Sequence, residues 1–188
     1  MIAYQKEKIQ NAICFFALEH QKATHQPLYQ IFLYKYLAFF EFDCIKSIGR
    51  PPLGLKYLAM QRGPVPLEIY NQRDSYKTDC FEFREIDQDR YIIVPMGKPD
   101  LGYFSSYEIS RMKRLIEIFA DRFVTSNEMS EASHEEIKSW RKAWNRKKNS
   151  LIRYEEEFDE DIMLKDSKKL DPAEEAFLIY KGIEQTPP

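Results

Sequence analysis

The residues best suited to chemistry are few and widely spaced along the 188-residue chain. The histidines are His20, His25 and His134, and the segment HEEIK that begins at His134 lacks the second histidine of a zinc-binding HExxH helix. Glu41 and Asp43 lie two residues apart on a predicted helix, so their carboxylates do not share a face and form a poor acid–base pair. The six glycines form no phosphate-binding pattern. The sequence therefore predicts no catalytic centre, no metal and no cofactor.

The three cysteines, Cys14, Cys44 and Cys80, lie far apart in the sequence. They form neither a disulfide framework nor a CxxC metal-binding motif. We therefore expect reduced thiols that pack as small apolar side chains, as is usual in cytosolic proteins. A nucleophilic pair of a cysteine with a histidine stays open as an alternative, although no local signature supports any particular pair.

One basic and aromatic segment, WRKAWNRKK at residues 140–148, has the composition of a nucleic-acid contact. Trp140 and Trp144 lie one helical turn apart among five cations, and bases would stack on these rings if they were exposed. However, tryptophans at i and i+4 also anchor a helix to a core, and cations near the C-terminus of a helix favour its dipole. The net charge of −2 and the pI of about 6.0 also disfavour a nucleic-acid-coating protein. We therefore prefer the packing interpretation.

The N-terminal part of the chain is predicted to be helical around one apolar segment. The spacing of apolar residues predicts an amphipathic helix over about residues 4–20 and a second helix, apolar on most sides, over about residues 28–46. Gln30, Lys35 and Glu41 interrupt the second helix, and its apolar stretch is shorter than the roughly 20 residues of a membrane span. The N-terminus shows no signal-peptide pattern. We therefore expect a buried central helix in a cytoplasmic protein.

The stretch YLAMQRGPVPLEIY, residues 57–70, places a glycine and two prolines around one valine. We predict a short helix over about residues 55–62 that Gly63 closes in a left-handed conformation. Val65 precedes a proline and is expected to be extended. Pro66 is expected in the first turn of the next helix, where its missing N–H costs nothing. The local chemistry thus predicts a helix, a rigid corner and a second helix.

The rest of the chain is predicted to contain one β element and further helices. Residues 80–95 change to a period of two and predict two strands joined by a polar turn. Ser-x-x-Glu patterns predict capping boxes at Ser105 and Ser133, each of which opens a helix, and Asp171 is predicted to cap a last helix. The predicted fold class is mainly α (α+β): a compact helical bundle with one small β-hairpin near residues 80–95.

Two blocks of this sequence resemble the signature of the Panacea domain family, the SocA-like antitoxins also described as phage-associated GepA-like proteins. The first block, GRPPLGLKYLAMQRGPVPLEIY, is similar to the family's Gly-Arg-Pro, Gly, Tyr-x-Ala and Gly-Pro-Val-Pro pattern. The second block is similar to a Ser-x-x-Glu helix start that is followed by Ser-His and a tryptophan. The matching positions are Gly49, Arg50, Pro51, Gly54, Tyr57, Ala59, Gly63, Pro64, Val65, Pro66, Tyr70, Ser105, Glu108, Ser133, His134 and Trp140.

The resemblance covers roughly residues 5–145 and shows two departures. Leu53 stands where the family often has a threonine, and the Asp-x-x-His-like end of the central helix is replaced by DCIK, with Lys46 in the later position. The resemblance implies a Panacea-like antitoxin domain over residues 1–145. We expect residues 146–188 to form a charged C-terminal extension that ends in a helix packed on the same domain.

The resemblance also implies a function: an antitoxin of bacterial or prophage origin that neutralises a co-encoded toxin by direct binding. Some family members act as adaptors that deliver the toxin to a protease, so the expected partners are a toxin encoded nearby and a protease or its unfoldase. No membrane and no nucleic acid are expected as partners. Two alternatives stay open: an enzyme centred on His134, Glu135 and Tyr57, or a nucleic-acid-binding regulatory protein that uses the tryptophan helix.

Aromatic side chains dominate the energetics of protein interfaces, which guides the choice of contact residues. The side chains that we expect to contact the partner are Tyr57, Tyr70, His134, Trp140 and Trp144. The motif residues that we expect to serve the structure are Gly49, Arg50, Pro51, Gly54, Gly63, Pro64, Val65 and Pro66.

Overall fold

The computed structural model describes residues 2–121, 123–159 and 162–185. In this part of the chain two antiparallel sheets accompany a larger set of helices, which confirms the predicted class, mainly α with some β. The helices are α1 (Gln5–Thr24), α2 (Gln30–Ile48), α3 (Leu67–Gln72), α4 (Ser106–Phe119), α5 (Ser126–Glu136), α6 (Lys138–Arg146) and α7 (Pro172–Gln185). The strands are β1 (Leu28–Tyr29), β2 (Tyr57–Met60), β3 (Gly63–Pro66), β4 (Phe81–Asp87) and β5 (Arg90–Pro95).

Helix α2 is the centre of the molecule. Nearly all of its side chains from Leu33 to Ile45 are buried, because this segment is apolar around most of the helix. The helix packs against α1, α4, α5 and α7. Two charged side chains, Lys35 and Glu41, are buried within it. No helix in the described residues is long and apolar enough to cross a membrane.

Several of the predicted elements are confirmed. The helices predicted over residues 4–20 and 28–46 correspond to α1 and α2. The hairpin predicted over residues 80–95 is the β4–β5 pair, and β1 adds to the other edge of β5 to give the order β1-β5-β4. These predictions succeeded because the periodicity of each element is visible within its own sequence.

The helix predicted before Gly63 is wrong. That stretch forms a second antiparallel hairpin, β2–β3, in which Met60 pairs with Gly63. The side chains of β2 alternate between buried and half-buried, a pattern that four residues do not distinguish from one turn of a helix. Strand β2 also gains a distant partner, because the backbone of residues 149–152 bonds to its other edge. β3 is thus the edge strand, where prolines without an N–H are tolerated.

The residues of the predicted corner between two helices therefore belong to a strand and to the start of a helix. Gly63 has a positive φ of +104°, but it begins β3 after a two-residue turn and does not end a helix. Val65 is extended, as predicted, and Pro66 lies just before α3 and not in its first turn. The prolines shape an edge strand that leads directly into a short helix.

The expectation that all cysteines are reduced is wrong for two of them. Cys14 in α1 and Cys80 just before β4 form a disulfide bond, with their Cα atoms 5.8 Å apart. Cys44 is free and buried. The two bonded cysteines are 66 residues apart, so only the packing of the β4–β5 sheet on α1 brings them together. The sequence spacing carries no signal of such a pair.

One of the two predicted capping boxes is confirmed, and the other is wrong. Ser105 caps α4 through a reciprocal box with Glu108, as predicted. Ser133 caps no helix: it lies buried inside α5, and its hydroxyl donates to the Ser130 carbonyl at 2.7 Å. Helix α5 begins instead with a capping box at Thr125. The Ser-x-x-Glu pattern also occurs inside helices, which explains the wrong prediction.

The C-terminal segment returns to the central helix. Asp171 caps α7, as predicted, and its carboxylate accepts hydrogen bonds from two backbone N–H groups of the first turn. Helix α7 packs on α2, and its buried Phe177 contacts Phe158 with ring centroids 5.1 Å apart. The division into a domain of residues 1–145 and an extension of residues 146–188 packed on it stays a prediction.

Candidate interaction site

The two sequence blocks are in contact, because the β2–β3 hairpin lies against α5 and α6. The indole Nε1 of Trp140 donates to the carbonyl of Met60, at the end of β2, at 3.1 Å. The Trp140 ring stacks on His134 and on Trp144, with centroid separations of 3.9 and 5.7 Å. We call these four residues the hairpin–tryptophan cluster. Trp140 is 5% exposed, so this tryptophan anchors α6 to the hairpin as the packing interpretation requires.

His134 is half-buried in this cluster and parallel to the indole ring of Trp140. Burial, together with the positive charge of Lys35 nearby, lowers its pKa below the usual 6.5. The imidazole is therefore predominantly neutral at pH 7. Its Nε2 atom is buried and has no hydrogen-bond partner within the described residues. His134 thus acts as a flat aromatic surface that extends the tryptophan stack.

Beneath the hairpin turn, the ammonium group of Lys35 donates a hydrogen bond to the Arg62 carbonyl. Lys35 is 2% exposed, and burial with the nearby Arg62 charge lowers its pKa to about 7. Gly63 leaves the space that this contact needs. A Cβ atom on Gly63 would overlap Lys35 Nζ and lie 2.5 Å from Ser133 Oγ. The motif glycine is therefore required by packing as well as by its positive φ.

Glu41 holds the loop that contains the Gly-Arg-Pro motif. Its buried carboxylate accepts hydrogen bonds from the backbone N–H groups of Leu53, Gly54 and Leu55 at 3.1, 2.6 and 3.2 Å. The Tyr154 hydroxyl donates to the same carboxylate at 2.7 Å. Burial raises the pKa of Glu41 to about 7, although these hydrogen bonds act in the opposite direction. The carboxylate thus joins the loop after α2 to the C-terminal segment.

The other residues of the first block lie around this loop and the hairpin. Gly49 ends α2 with a φ of +66°, and a Cβ atom there would overlap the Ala173 carbonyl of α7. Gly54 lies beside the Ile2 side chain. Most of the motif therefore faces protein and not solvent: Pro51, Pro64 and Pro66 are buried, Val65 is half-buried and Arg50 is exposed.

The two tyrosines predicted to contact a partner differ in exposure. Tyr57 is 1% exposed and packs on Phe42 with ring centroids 5.4 Å apart, and burial raises its pKa well above 10.0. Tyr70 is half-buried on α3, and the guanidinium of Arg73 lies 4.1 Å from its ring centroid. In this structure Tyr70 is accessible to a partner and Tyr57 is not. Their roles as partner contacts stay predictions.

A groove of about 440 Å³ lies between α2, α4 and α5. Phe39 and Leu115 line it, and Ile118, which also lines it, is 45% exposed. An ion pair between Asp43 and Arg111 lies at its side. The groove thus occupies the end of α2 at which the sequence departs from the family pattern, and the carboxylate there is engaged by an arginine.

The contacts around His134 favour packing and recognition over catalysis. The Ser133 hydroxyl is bonded to a backbone carbonyl of its own helix, and the Lys35 ammonium is bonded to the Arg62 carbonyl. No carboxylate is hydrogen-bonded to His134 in the part of the chain that the structure describes, so nothing there orients it as a general base. The described residues also contain no group of three or more His, Cys, Asp or Glu side chains that could hold a metal ion.

Sequence reasoning missed the charged residues that organise this site. Lys35 and Glu41 interrupt the most apolar segment of the chain, and that interruption is the signal that could have found them, because a buried charge needs a partner. Arg62 was missed for a different reason. The wrong helix prediction conceals the hairpin turn on which this residue lies.

The fold and the site define an α+β domain in which a proline-containing hairpin is held between a central helix and a tryptophan-bearing helix. Residues 33–141 match the family model described as Antitoxin SocA-like, Panacea domain. Because this match covers more than half of the chain, the protein belongs to the SocA-like Panacea family, and the resemblance seen in the two sequence blocks is confirmed. No curated protein and no solved structure gave a significant match.

Proposed function

We propose that the protein is an antitoxin that neutralises a toxin encoded nearby by binding it directly. The match to the antitoxin family over residues 33–141 carries this proposal, because the matched segment contains the hairpin, the loop held by Glu41 and the His134–Trp140 pair. The contacts around this pair support a recognition surface better than a catalytic centre, for the reasons given above.

The contact surface that we propose is built around the hairpin. His134 and Trp144 are half-buried beside it, and Tyr70 is half-buried on α3 directly after it. These three side chains would contact the toxin, because partly exposed aromatic rings bury large areas at little cost in entropy. The buried Tyr57 and Trp140 would support them from within the domain.

Co-expression with the neighbouring gene tests the proposal. Cells that express the neighbouring gene alone are expected to stop growing, and co-expression of this protein is expected to restore growth and to co-purify the two proteins. A His134→Ala/Trp144→Ala variant is expected to lose rescue while it still folds. An Ile179→Ala variant, altered at an exposed position of α7, serves as the matched control. Failure of the wild type both to rescue growth and to co-purify the toxin would refute the proposal.

We further propose that the encounter takes place in the cytoplasm and that a protease or its unfoldase is a second partner. An adaptor shortens the lifetime of the protein that it delivers, whereas a simple inhibitor leaves that lifetime unchanged. A pulse–chase measurement of the toxin, with and without this protein, separates the two mechanisms. An unchanged toxin half-life would remove the adaptor role and leave direct neutralisation.

A further inference from the structure

A second cleft of about 440 Å³ opens where the β2–β3 turn, the β4–β5 turn and the start of α2 meet. Arg62 from the first turn and Arg90 after the second turn line it, and both side chains are exposed. Tyr29 and Phe32 are half-buried and also line the cleft. The cleft thus combines two guanidinium groups with aromatic side chains.

The positive charge of this arginine cleft is not neutralised by the residues that line it. Arg62 forms no ion pair with a carboxylate anywhere in the described ranges. Arg90 lies 3.7 Å from Asp87, and since both side chains are exposed, this pair is weak. Asp89, the acidic residue that lines the cleft, is bound to Arg73 at 3.0 Å. Guanidinium donors in the cleft therefore remain available to a partner.

Helix α2 fixes the two turns that carry the arginines. Lys35 Nζ donates to the Arg62 carbonyl, so the buried lysine holds the first turn from below. Gln30 Nε2 donates to the Asp89 carbonyl at 2.8 Å, which holds the second turn next to Arg90. Because both donors belong to one helix, the spacing of the turns is set before a ligand binds. Such preorganisation lowers the entropy cost of binding.

The arginine cleft is continuous with the surface around Tyr70. The guanidinium of Arg73 lies 4.1 Å from the Tyr70 ring centroid and 5.5 Å from that of Tyr91, which lines the cleft. The same guanidinium binds Asp89. A partner that contacts Tyr70 would therefore reach the arginine cleft as well.

We infer that the arginine cleft binds an acidic segment of the toxin, one in which a carboxylate lies next to an apolar or aromatic side chain. The inference rests on the proposed antitoxin function, because the toxin supplies the segment. Guanidinium groups bind carboxylates through two parallel hydrogen bonds, and the aromatic walls cover the adjoining apolar side chain. The charges are complementary, since within the described residues Arg62 has no carboxylate partner and Arg90 has only the exposed Asp87, at 3.7 Å. Lys35 is a positioning residue that acts through the Arg62 backbone.

A nucleic-acid strand is the weaker candidate for this cleft. Binding a strand requires a track of cations along its phosphates. The cleft is lined by two arginines and one aspartate, and the whole chain has a net charge of −2. A short acidic peptide segment fits this limited charge better.

The test compares the affinity of the purified neighbouring-gene product for the wild type and for an Arg62→Glu/Arg90→Glu variant, at low and at high salt. The dissociation constant of the variant is expected to be at least about tenfold weaker at low salt, and the dependence on salt is expected to decrease. A Lys113→Glu/Lys169→Glu variant carries the same change of charge at exposed positions on α4 and in the C-terminal segment. This control is expected to bind within about twofold of the wild type.

The possible outcomes are distinguishable. Thermal unfolding is measured first, and an Arg62→Gln/Arg90→Gln variant replaces the charge reversal if the reversal lowers Tm. If the wild type binds the toxin, and the arginine variant binds it as well as the Lys113→Glu/Lys169→Glu control does, the inference is overturned and the antitoxin function stands. If the wild type does not bind the toxin at all, the proposed function fails and the inference fails with it. Binding of mixed-sequence single-stranded RNA that the arginine substitutions abolish would also overturn the inference.

Discussion

At the scale of single residues, the buried charges of α2 have opposite signs and opposite kinds of partner. The Lys35 ammonium, which has donors only, faces the Arg62 carbonyl, and the Glu41 carboxylate, which accepts, faces three backbone N–H groups. Each charge therefore holds one loop of the family's first sequence block against the same helix. Both groups also have shifted pKa values, so their contributions to stability depend on pH.

Replacing Lys35 with methionine tests the first of these contributions. Burial lowers the pKa of Lys35 from 10.5 to about 7, so between these values the unfolded chain binds a proton that the folded chain does not. Between pH 7 and 9, below the range in which the buried Cys44 and tyrosines act with the opposite sign, the stability of the wild type should therefore rise with pH, by up to about 1.4 kcal/mol per pH unit. Urea unfolding should show that Lys35→Met loses this rise, whereas the exposed Lys113→Met keeps it. Parallel profiles for all three proteins would contradict the prediction.

The contribution of Glu41 to stability should change with pH in the opposite direction: it should fall as the pH rises. Burial raises its pKa from 4.5 to about 7, so in this range the folded chain holds a proton that the unfolded chain has lost. Its contribution to stability is present below pH 4.5 and is lost as the pH rises through 7. His20, whose pKa burial lowers to about 4, contributes a slope of opposite sign over part of this range. The measurement is therefore the difference between Glu41→Gln and the wild type at each pH, which should shift in favour of the variant as the pH rises. A constant difference across this pH range would refute the prediction, and Glu136→Gln, at an exposed position, is measured as the control substitution.

At the scale of elements, the β2–β3 hairpin depends on Gly63, the glycine that follows its turn. Gly63→Ala places a methyl group against Lys35 Nζ and Ser133 Oγ on a residue with a φ of +104°. We expect a loss of at least about 2 kcal/mol in the free energy of unfolding, from backbone strain and from displacement of the Lys35 contact. Gly182→Ala is the matched control, because a Cβ atom there meets nothing within 4 Å and alanine favours a helix. Equal effects of the two substitutions in chemical denaturation would rule out the packing role of Gly63.

The disulfide bond ties the β4–β5 sheet to α1. The cross-link closes a loop of 66 residues, so removing it should cost about 4 kcal/mol of stability through the entropy of the unfolded chain. Urea unfolding of a Cys14→Ala/Cys80→Ala variant should show this loss. Titration with a thiol reagent should find one thiol in the unfolded, unreduced protein, namely Cys44, and three after reduction. Three reactive thiols before reduction would show that the bond does not form in the purified protein.

These elements also show how far the sequence alone can predict this fold. Helices α1, α2 and α4 and the β4–β5 hairpin are predictable because each carries its own periodicity or capping box. The β2–β3 hairpin is not, because residues 149–152 and Trp140, which hydrogen-bond to it, lie far away in the sequence. The candidate site likewise has one part that the sequence shows and one part that it does not. Its aromatic residues stand out in the sequence, whereas the contact of Lys35 with the Arg62 backbone exists only after folding.

At the scale of the whole molecule, the C-terminal segment is part of the support of the family's first sequence block. Residues 149–152 pair with β2, and the Tyr154 hydroxyl binds the same carboxylate that holds the Gly-Arg-Pro loop. Helix α7 then covers Gly49, where α2 ends. The matched family segment ends at residue 141, so these supports come from beyond it. We therefore expect the extension to unfold together with the domain.

A substitution in α7 tests this cooperativity. Phe177 is fully buried against Phe158 and the end of α2, so Phe177→Ala should cost about 3–5 kcal/mol. Because α7 packs on the central helix, the loss should appear as a shift of a single unfolding transition, identical when followed by tryptophan fluorescence and by circular dichroism. Ile179→Ala, at a position of the same helix that is 54% exposed, should shift the transition by less than about 1 kcal/mol. If Phe177→Ala instead splits off an early transition and leaves the fluorescence of Trp140 and Trp144 unchanged, residues 146–188 form a separate unit. The inference that the extension unfolds together with the hairpin and the rest of the domain would then be wrong.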